Sequence, residues 1–290
     1  MKKRILTLLL CLFSIGNIFS QELLISLNDD YEMEIQAAAY NSDYRFHTAV
    51  KSWSEYQFRD ILNLDSLNKS QFIVKDFNRK WKNYAWNSIF NTDFIGFKSD
   101  DYYIAINPIV DFQVGKDGSK NTWVNTRGAE VKGTIGDNFA FYSNIRENQA
   151  VFPDYVTEFA RENTVVPGQG HARRFKQTGF DYANASAYIA MRPMPWLQGV
   201  LGYGKNFIGD GYRSLILSDN AFAYPYLKLT GNVWNIQYSC YYTQMTDKNR
   251  VLEDDTYARK YAVIHYIDWA VTKRLNLGLF DAMVCKGQDE

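Results

Sequence analysis

The chain has 290 residues and no net charge, because 32 Lys and Arg residues balance 32 Asp and Glu residues. This balance excludes the strongly basic surface of a typical nucleic-acid-binding protein. Aromatic residues make up 16% of the chain, including 21 Tyr and 7 Trp, whereas only 6 residues are Pro. Abundant aromatics with little Pro are typical of long β-strands bordered by aromatic girdles at a membrane surface.

The first 20 residues are predicted to be a cleaved secretory signal peptide. Residues 2–4 are Lys, Lys and Arg, residues 5–15 form a nearly unbroken apolar run, and Ser20 precedes the expected cut. The apolar run is too short for a membrane-spanning helix, so the pattern indicates export rather than anchoring. We therefore expect the mature protein to begin at Gln21 and to be exported from the cytoplasm.

Residues 21–83 are predicted to form an N-terminal helical segment on the periplasmic side. Apolar residues recur at near-helical spacing from Phe46 to Leu62, including Trp53 and Phe58, with charged residues between them. This spacing predicts one amphipathic helix.

Residues 84–290 show a different period, in which apolar and polar residues alternate. In residues 102–114 the even positions are Tyr, Ile, Ile, Pro, Val, Phe and Val, whereas Asn107, Asp111 and Gln113 lie on the other face. The same alternation appears in residues 182–191 and 233–242. Roughly ten such segments of about ten residues each predict an all-β, antiparallel outer-membrane β-barrel.

The predicted connections alternate between short and long. Short polar turns are expected at 98–101, 136–138, 194–196, 231–232 and 272–274, and long loops at 147–180, 207–224 and 246–259. Short periplasmic turns and long external loops are typical of membrane barrels, whereas the strands of soluble folds are shorter. The sequence stops after an outward-running strand, so we expect it to be the front part of a longer barrel.

The most distinctive stretch lies between residues 201 and 229. Gly204-Lys205, residues 209–212 (GDGY), residues 217–220 (LSDN) and residues 224–228 (YPYLK) resemble the capsule assembly Wzi family, and within it the RemB-like gliding-motility proteins of Bacteroidota. Residues 46–51 (FHTAVK) resemble a second family segment, although the residues after Lys51 depart from the usual form. The resemblance implies a non-enzymatic outer-membrane barrel that holds surface polysaccharide or supports gliding and adhesion.

Five residues of this stretch are candidate ligand-binding residues: Arg213, Asp219, Asn220, Tyr226 and Lys228. The first three are predicted to form a polar cluster in a loop folded toward the lumen, where they either bind sugar or tie the loop into the barrel. A guanidinium suits bidentate contact with a carboxylate. Tyr226 either stacks on a sugar ring or belongs to the interfacial girdle.

Nothing in the sequence predicts catalysis, a metal or a cofactor. The chain has only three His residues, and the glycines of residues 204–211 do not have the spacing of a phosphate-binding loop. Residues 153–163 predict a short helix in a long loop, and the basic run at 171–176 either meets phosphates of an acidic glycan or is simply solvated.

The expected partners are outer-membrane lipid, surface polysaccharide or lipopolysaccharide, and gliding or export machinery, with no nucleic acid. Two other interpretations stay open at this point. One is a transport pore lined by the polar strand face, and the other is a secreted β-rich carbohydrate-active enzyme. Single-channel conductance distinguishes the pore, and a detergent requirement distinguishes both membrane proteins from the enzyme.

Overall fold

A computed structural model of the chain describes residues 23–27, 29–58, 92–251 and 257–287. The predicted signal peptide, the second part of the predicted amphipathic helix and residues 84–91 lie outside the described residues. The elements in chain order are α1 (Asp29–Asn41), a 3-10 turn (Glu55–Phe58), β1 (Ile95–Lys98), β2 (Tyr102–Asp117), β3 (Lys120–Ile135), β4 (Phe139–Val151), α2 (Asp154–Asn163), β5 (Val165–Val166), β6 (Gly170–Phe175), β7 (Gly179–Met194), β8 (Leu197–Gly204), β9 (Tyr224–Val233), β10 (Ile236–Val251), β11 (Tyr257–Ala270) and β12 (Asn276–Lys286).

The described strands form one 12-stranded antiparallel sheet, which confirms the predicted all-β antiparallel architecture. Its order is β1-β2-β3-β4-β7-β8-β9-β10-β11-β12, with β6 paired to β7 and β5 to β6. Nearly every strand therefore pairs with its neighbour in sequence, as short hairpin connections require. The sheet is not closed into a barrel, because β1 and β12 form its two edges among the described strands. In the same part of the chain, no helix is long and apolar enough to cross a membrane.

Four of the five predicted short turns are confirmed, and all lie at the same end of the sheet, here called the short-turn end. The exception is the turn predicted at Gly231-Asn232, which is wrong because both residues pair with β10. The chain turns instead at Trp234-Asn235, where Trp234 adopts a positive φ of 56°. At the opposite end of the sheet, the sequence interpretation missed a tight turn at Gly118-Ser119, in which Gly118 has a φ of 58°.

Two other predictions need correction. The loop expected at 246–259 is shorter, because β10 continues to Val251 and β11 begins at Tyr257. The helix expected between Phe46 and Leu62 is wrong over residues 46–54, which are irregular, and residues 55–58 form a 3-10 turn. The rest of that predicted helix lies outside the described residues. Among the described residues of this region, the α-helix is α1, which lies before the predicted one. By contrast, the helix predicted at 153–163 is confirmed as α2.

The two faces of the sheet differ in polarity. The face that packs against residues 23–58 is called the inner face, and the opposite one the outer face. Large apolar side chains are exposed on the outer face, among them Val110, of which 79% is exposed. Several polar residues of the strands are buried on the inner face: Thr126, Asn148, Arg192, Gln198, Lys228, Thr230, Gln237, Ser239, Thr243 and Asp268. A sheet of a water-soluble protein normally turns its polar face to solvent, so an exposed outer face that is rich in large apolar side chains departs from that rule.

Candidate functional site

The inner face is covered by the N-terminal segment (residues 23–58) and by the loop between β8 and β9, here called the inner loop (residues 205–223). Val50 forms an isolated antiparallel bridge with Ile208. Around it, the backbone N–H of Lys51 donates to the Phe207 carbonyl at 3.0 Å, and that of Gly209 donates to the Ala49 carbonyl at 2.7 Å. These bonds join the two parts of the chain that carry the family resemblance.

Apolar packing accompanies this bridge. Val50, Ile208 and Leu217 are buried in one cluster with Val200, Tyr224, Tyr226, Tyr241 and Ile264 of the sheet. A second cluster lies within the N-terminal segment, where Trp53 and Phe58 pack with Ile25 and Ile35. The apolar residues that predicted a helix are therefore buried, but in an irregular segment.

Lys228 anchors the N-terminal segment to the middle of the sheet. It lies on the inner face of β9 with only 3% of its surface exposed. Its Nζ donates to the carbonyl of Lys51 at 3.1 Å and to the carbonyl of Ser52 at 3.4 Å. A buried ammonium group is costly unless it is hydrogen-bonded, so these carbonyls are what allow Lys228 to be buried.

Further polar contacts run along the same segment. Arg192 Nη2 donates to Ser54 Oγ at 3.2 Å, and the backbone N–H of Leu24 donates to the Tyr188 hydroxyl at 2.8 Å. At the short-turn end, His47 Nδ1 lies 3.4 Å from Asp268 Oδ2. Asp268 is 1% exposed, and neither of its carboxylate oxygens has a hydrogen-bond donor within the described residues. The imidazole of His47 is therefore a basic side chain that lies beside this buried carboxylate.

The two candidate residues of β9, one aromatic and one basic, lie on the same face of the sheet. Tyr226 and Lys228 both point to the inner side and are buried. Tyr226 makes an edge-to-face contact with Tyr224, with 6.3 Å between the ring centroids. Because Tyr226 is not on the outer face, its interpretation as a girdle residue is wrong.

Among the three candidate residues of the inner loop, Arg213 lies apart from the other two. Asp219 and Asn220 lie in one turn, where the Ser218 hydroxyl donates to Asp219 Oδ1 at 3.1 Å. Arg213 is exposed elsewhere in the inner loop, and its guanidinium lies 5.5 Å from the ring centroid of Tyr212. No ion pair joins Arg213 to Asp219 within the described residues, so the predicted three-residue cluster is not assembled in this structure.

Lys205, at the start of the inner loop, connects this turn to the preceding long loop. Its Nζ donates to the carbonyl of Gly168. Burial lowers the pKa of Lys205, an effect that the nearby Asp219 carboxylate partly offsets. The Lys205 ammonium group therefore binds the Gly168 carbonyl directly and interacts with Asp219 only electrostatically.

A second polar network, which the sequence interpretation did not predict, lies on the inner face of β2 and β3. Asn107 Nδ2 donates to Asp93 Oδ1 at 2.9 Å and to Glu130 Oε1 at 3.2 Å. The Tyr103 hydroxyl also donates to Asp93, and Lys132 Nζ lies 3.8 Å from both carboxylates. Burial alone would raise the pKa of Asp93, but the hydrogen bonds from Asn107 and Tyr103, together with Lys132, hold it below its usual range. Of this network, the alternation of polar and apolar residues predicts only the face of the sheet on which Asn107 lies.

In the part of the chain that the structure describes, no group of three or more His, Cys, Asp or Glu side chains could hold a metal ion. Cys240 and Cys285 are both free thiols.

No protein-family model matches the chain, and neither does a curated protein or a solved structure. The resemblance to the capsule assembly family therefore stays a prediction from the quoted motifs.

Proposed function

We propose that the protein is a non-enzymatic outer-membrane component whose sheet forms part of a β-barrel wall, and that it binds or organises polysaccharide at the cell surface. The single observation that supports the membrane location best is the exposed outer face, which is rich in large apolar side chains, while many polar side chains of the strands are buried on the inner face. In lipid, an outward apolar face is stabilising, whereas polar side chains are placed toward the lumen.

The distribution of aromatic residues on the outer face supports the same conclusion. Near the short turns, Trp269 of β11 and Trp234 of the β9–β10 turn are exposed, and further along the sheet Tyr261 of β11 and Tyr242 of β10 are exposed. Trp269 and Tyr261 are eight residues apart within β11. At about 3.3 Å per residue this spacing is roughly 26 Å along the strand, and about 20 Å across the membrane after strand tilt, near the height of an outer-membrane apolar band.

The outer face carries one charged pair near the edge of this band, whereas Asp281 of the edge strand β12 lies within the band, opposite His265 of β11. Arg127 and Glu147 lie opposite each other in β3 and β4, with 3.5 Å between Nε and Oε2. They follow an apolar run that begins at the short turns and includes Ile135, Val131 and Ile145. A paired charge just beyond the apolar band is compatible with lipid, whereas an isolated one at its centre is costly.

The two parts of the chain that cover the inner face favour a binding or holding role over an open transport pore. The N-terminal segment and the inner loop are hydrogen-bonded to each other over the sheet, and Lys228 and Arg192 fix that segment in place. The polysaccharide part of the proposal is supported by the resemblance carried by residues 204–228 and by the exposed inner-loop side chains, including Arg213.

The test begins with cell fractionation. The protein should sediment with the outer membrane, resist a carbonate wash and require detergent, and its deletion should reduce cell-surface glycan staining. Recovery of most of the protein from the soluble periplasm would refute the membrane location. Single-channel conductance without any change in glycan staining would favour the pore.

A further inference from the structure

A small polar cavity lies at the end of the sheet opposite the short turns, between α2 and the turn that joins β6 to β7. Its volume is about 160 Å³, and it is lined by Arg161, Arg174, Gln177, Thr178, Gly179 and Phe180. None of these residues belongs to the N-terminal segment or to the inner loop. The cavity is therefore separate from the candidate residues of β9 and the inner loop.

Ordered elements hold the first arginine in place. The backbone N–H of Asp154 in the first turn of α2 donates to Asp117 Oδ2 at 2.9 Å, and Lys120 Nζ donates to Asp154 Oδ1 at 2.7 Å. Lys120 also donates to Thr157 Oγ1 at 3.4 Å. These bonds attach α2 to the β2–β3 hairpin, and Arg161 is presented from the last turn of the attached helix.

The second arginine is held by strand pairing. Arg174 pairs with Phe180, and Phe175 pairs with Gly179, in the β6–β7 ladder. Gly179 also lies in a tight place, because an added Cβ would be 3.0 Å from the Phe175 carbonyl oxygen and 3.1 Å from that of Ala150. The cavity is therefore formed by positioned backbone on both sides.

The charge of the lining is unbalanced. Two guanidinium groups border the cavity, and none of its lining residues is acidic. Within the described residues, neither Arg161 nor Arg174 belongs to an ion pair. Arg173, by contrast, lies directly opposite Asp181 in the ladder and outside the cavity. An anion in the cavity would neutralise the two arginines, while Gln177 and Thr178 offer neutral donors beside them.

We propose that this cavity binds a phosphate group. A phosphate monoester offers three terminal oxygens to two forked guanidiniums, whereas a carboxylate offers only two, so the donor set favours phosphate. The volume corresponds to about five water molecules at roughly 30 Å³ each, enough for a phosphoryl group. The phosphate belongs either to a phosphorylated surface glycan or to a lipid headgroup. The choice between these sources rests on the proposed function, whereas binding of phosphate itself does not.

The experiment uses the full chain, solubilised in detergent, and inorganic phosphate as the probe. Calorimetry measures the affinity of the protein for phosphate. The double variant R161Q/R174Q should bind phosphate at least tenfold more weakly than the unaltered protein. The single variant R174Q should also bind phosphate more weakly than the unaltered protein. Its matched control R173Q removes the same charge one residue away, outside the cavity, and should change the affinity less than twofold. Both arginines are exposed, so the variants should stay folded, and circular dichroism and the single variant R161Q provide a check.

Absence of phosphate binding, equal affinity in the double variant, or an equal loss in R173Q would overturn the proposal. Two probes then distinguish the sources: glucose 6-phosphate for the glycan, and lipopolysaccharide in phosphatidylethanolamine vesicles for the lipid. The same vesicles without lipopolysaccharide are the control, because their phosphates are diesters with only two terminal oxygens. Binding of either supports the cavity, and binding of neither contradicts it. Phosphate binding by the purified protein does not depend on its location in the cell. A negative binding result would therefore contradict the phosphate site alone, whereas negative fractionation or glycan-staining results would contradict the proposed function.

Discussion

Two isoleucines of β2 allow the membrane orientation of the sheet to be tested with the same substitution on opposite faces. Ile106 lies on the outer face, where 37% of it is exposed and where it pairs with Ile95 of β1 and Val131 of β3. Ile109, three residues further, lies half-buried on the inner face opposite Gly128. Ile106 is four residues from the start of β2, or about 13 Å along the strand, roughly half of the apolar band.

An Arg near the middle of the lipid-facing band costs about 2–4 kcal/mol of barrel stability. Ile106→Arg should therefore lower the ratio of folded to unfolded protein by roughly 30-fold to several hundred-fold, because each 1.4 kcal/mol is about a factor of ten. Ile109→Arg should cost much less, because its side chain can reach the polar inner side. Urea titration in lipid vesicles, followed by heat-modifiable gel mobility, measures both changes. Equal shifts for the two variants, or a larger loss for Ile109→Arg, would refute the assignment of the faces.

Three further predictions concern the inner side. The pKa of Asp93 is lowered in the folded protein, so its carboxylate contributes stability that is present above about pH 4 and is lost as pH falls through the folded-state pKa. Asp93→Asn should therefore weaken the fall of the urea unfolding midpoint at acid pH. An unchanged acid dependence of the midpoint would contradict this role. Lys228→Met removes the hydrogen bonds to two carbonyls and should speed tryptic cleavage within the N-terminal segment while the sheet stays folded, whereas an unaltered cleavage rate would mean that other contacts suffice. Replacing Arg213, Asp219 and Asn220 together with Ala should preserve outer-membrane abundance on immunoblots but reduce surface glycan staining or motility; lost abundance would indicate a structural role, and normal staining would remove these residues from the functional site.

Strand direction and face could be predicted because the alternation of polar and apolar residues is a local property. Asn107 and Gln113 share the inner side of β2 as the sequence pattern predicts. The turn at 231–232 was mispredicted because Gly and Asn favour turns locally, yet pairing with both β8 and β10 keeps Gly231 in the ladder. The unfavourable backbone conformation is found instead at Trp234, whose positive φ of 56° is rare for a bulky residue.

The N-terminal segment could be predicted only in part. Phe46, Trp53 and Phe58 were expected on one apolar face, and they do pack together, with ring centroids 4.7 to 5.5 Å apart. The near-helical spacing nevertheless failed to predict the backbone, because tertiary contacts with the sheet and the inner loop determine its path. Helical periodicity over a short apolar segment reports burial more reliably than it reports hydrogen bonding.

The candidate site was harder to predict because its partners are distant in sequence. Lys228 and the Lys51 carbonyl are separated by 177 residues, and no periodicity connects them. The alternation does place Lys228 on the polar side of β9, but only the packed chain reveals that a backbone carbonyl, and not a sugar, is its partner here. The arginines of the α2 cavity are similar, since Arg161 and Arg174 come from separate elements joined by a loop.

The inner and outer sides of the sheet depend on each other under the proposed function. A strand that turns apolar residues toward lipid must turn the alternate residues inward, and in β10 these include Gln237, Ser239 and Thr243, all buried. Such groups require hydrogen-bond partners once water is excluded. Part of this requirement is met across the ladder, where Thr230 and Ser239 hydroxyls lie 3.3 Å apart, and part by the N-terminal segment, whose carbonyls receive Lys228. Covering of the inner face is thus one way of supplying these partners, and disruption of Lys228 should loosen the cover without removing the strands from the membrane.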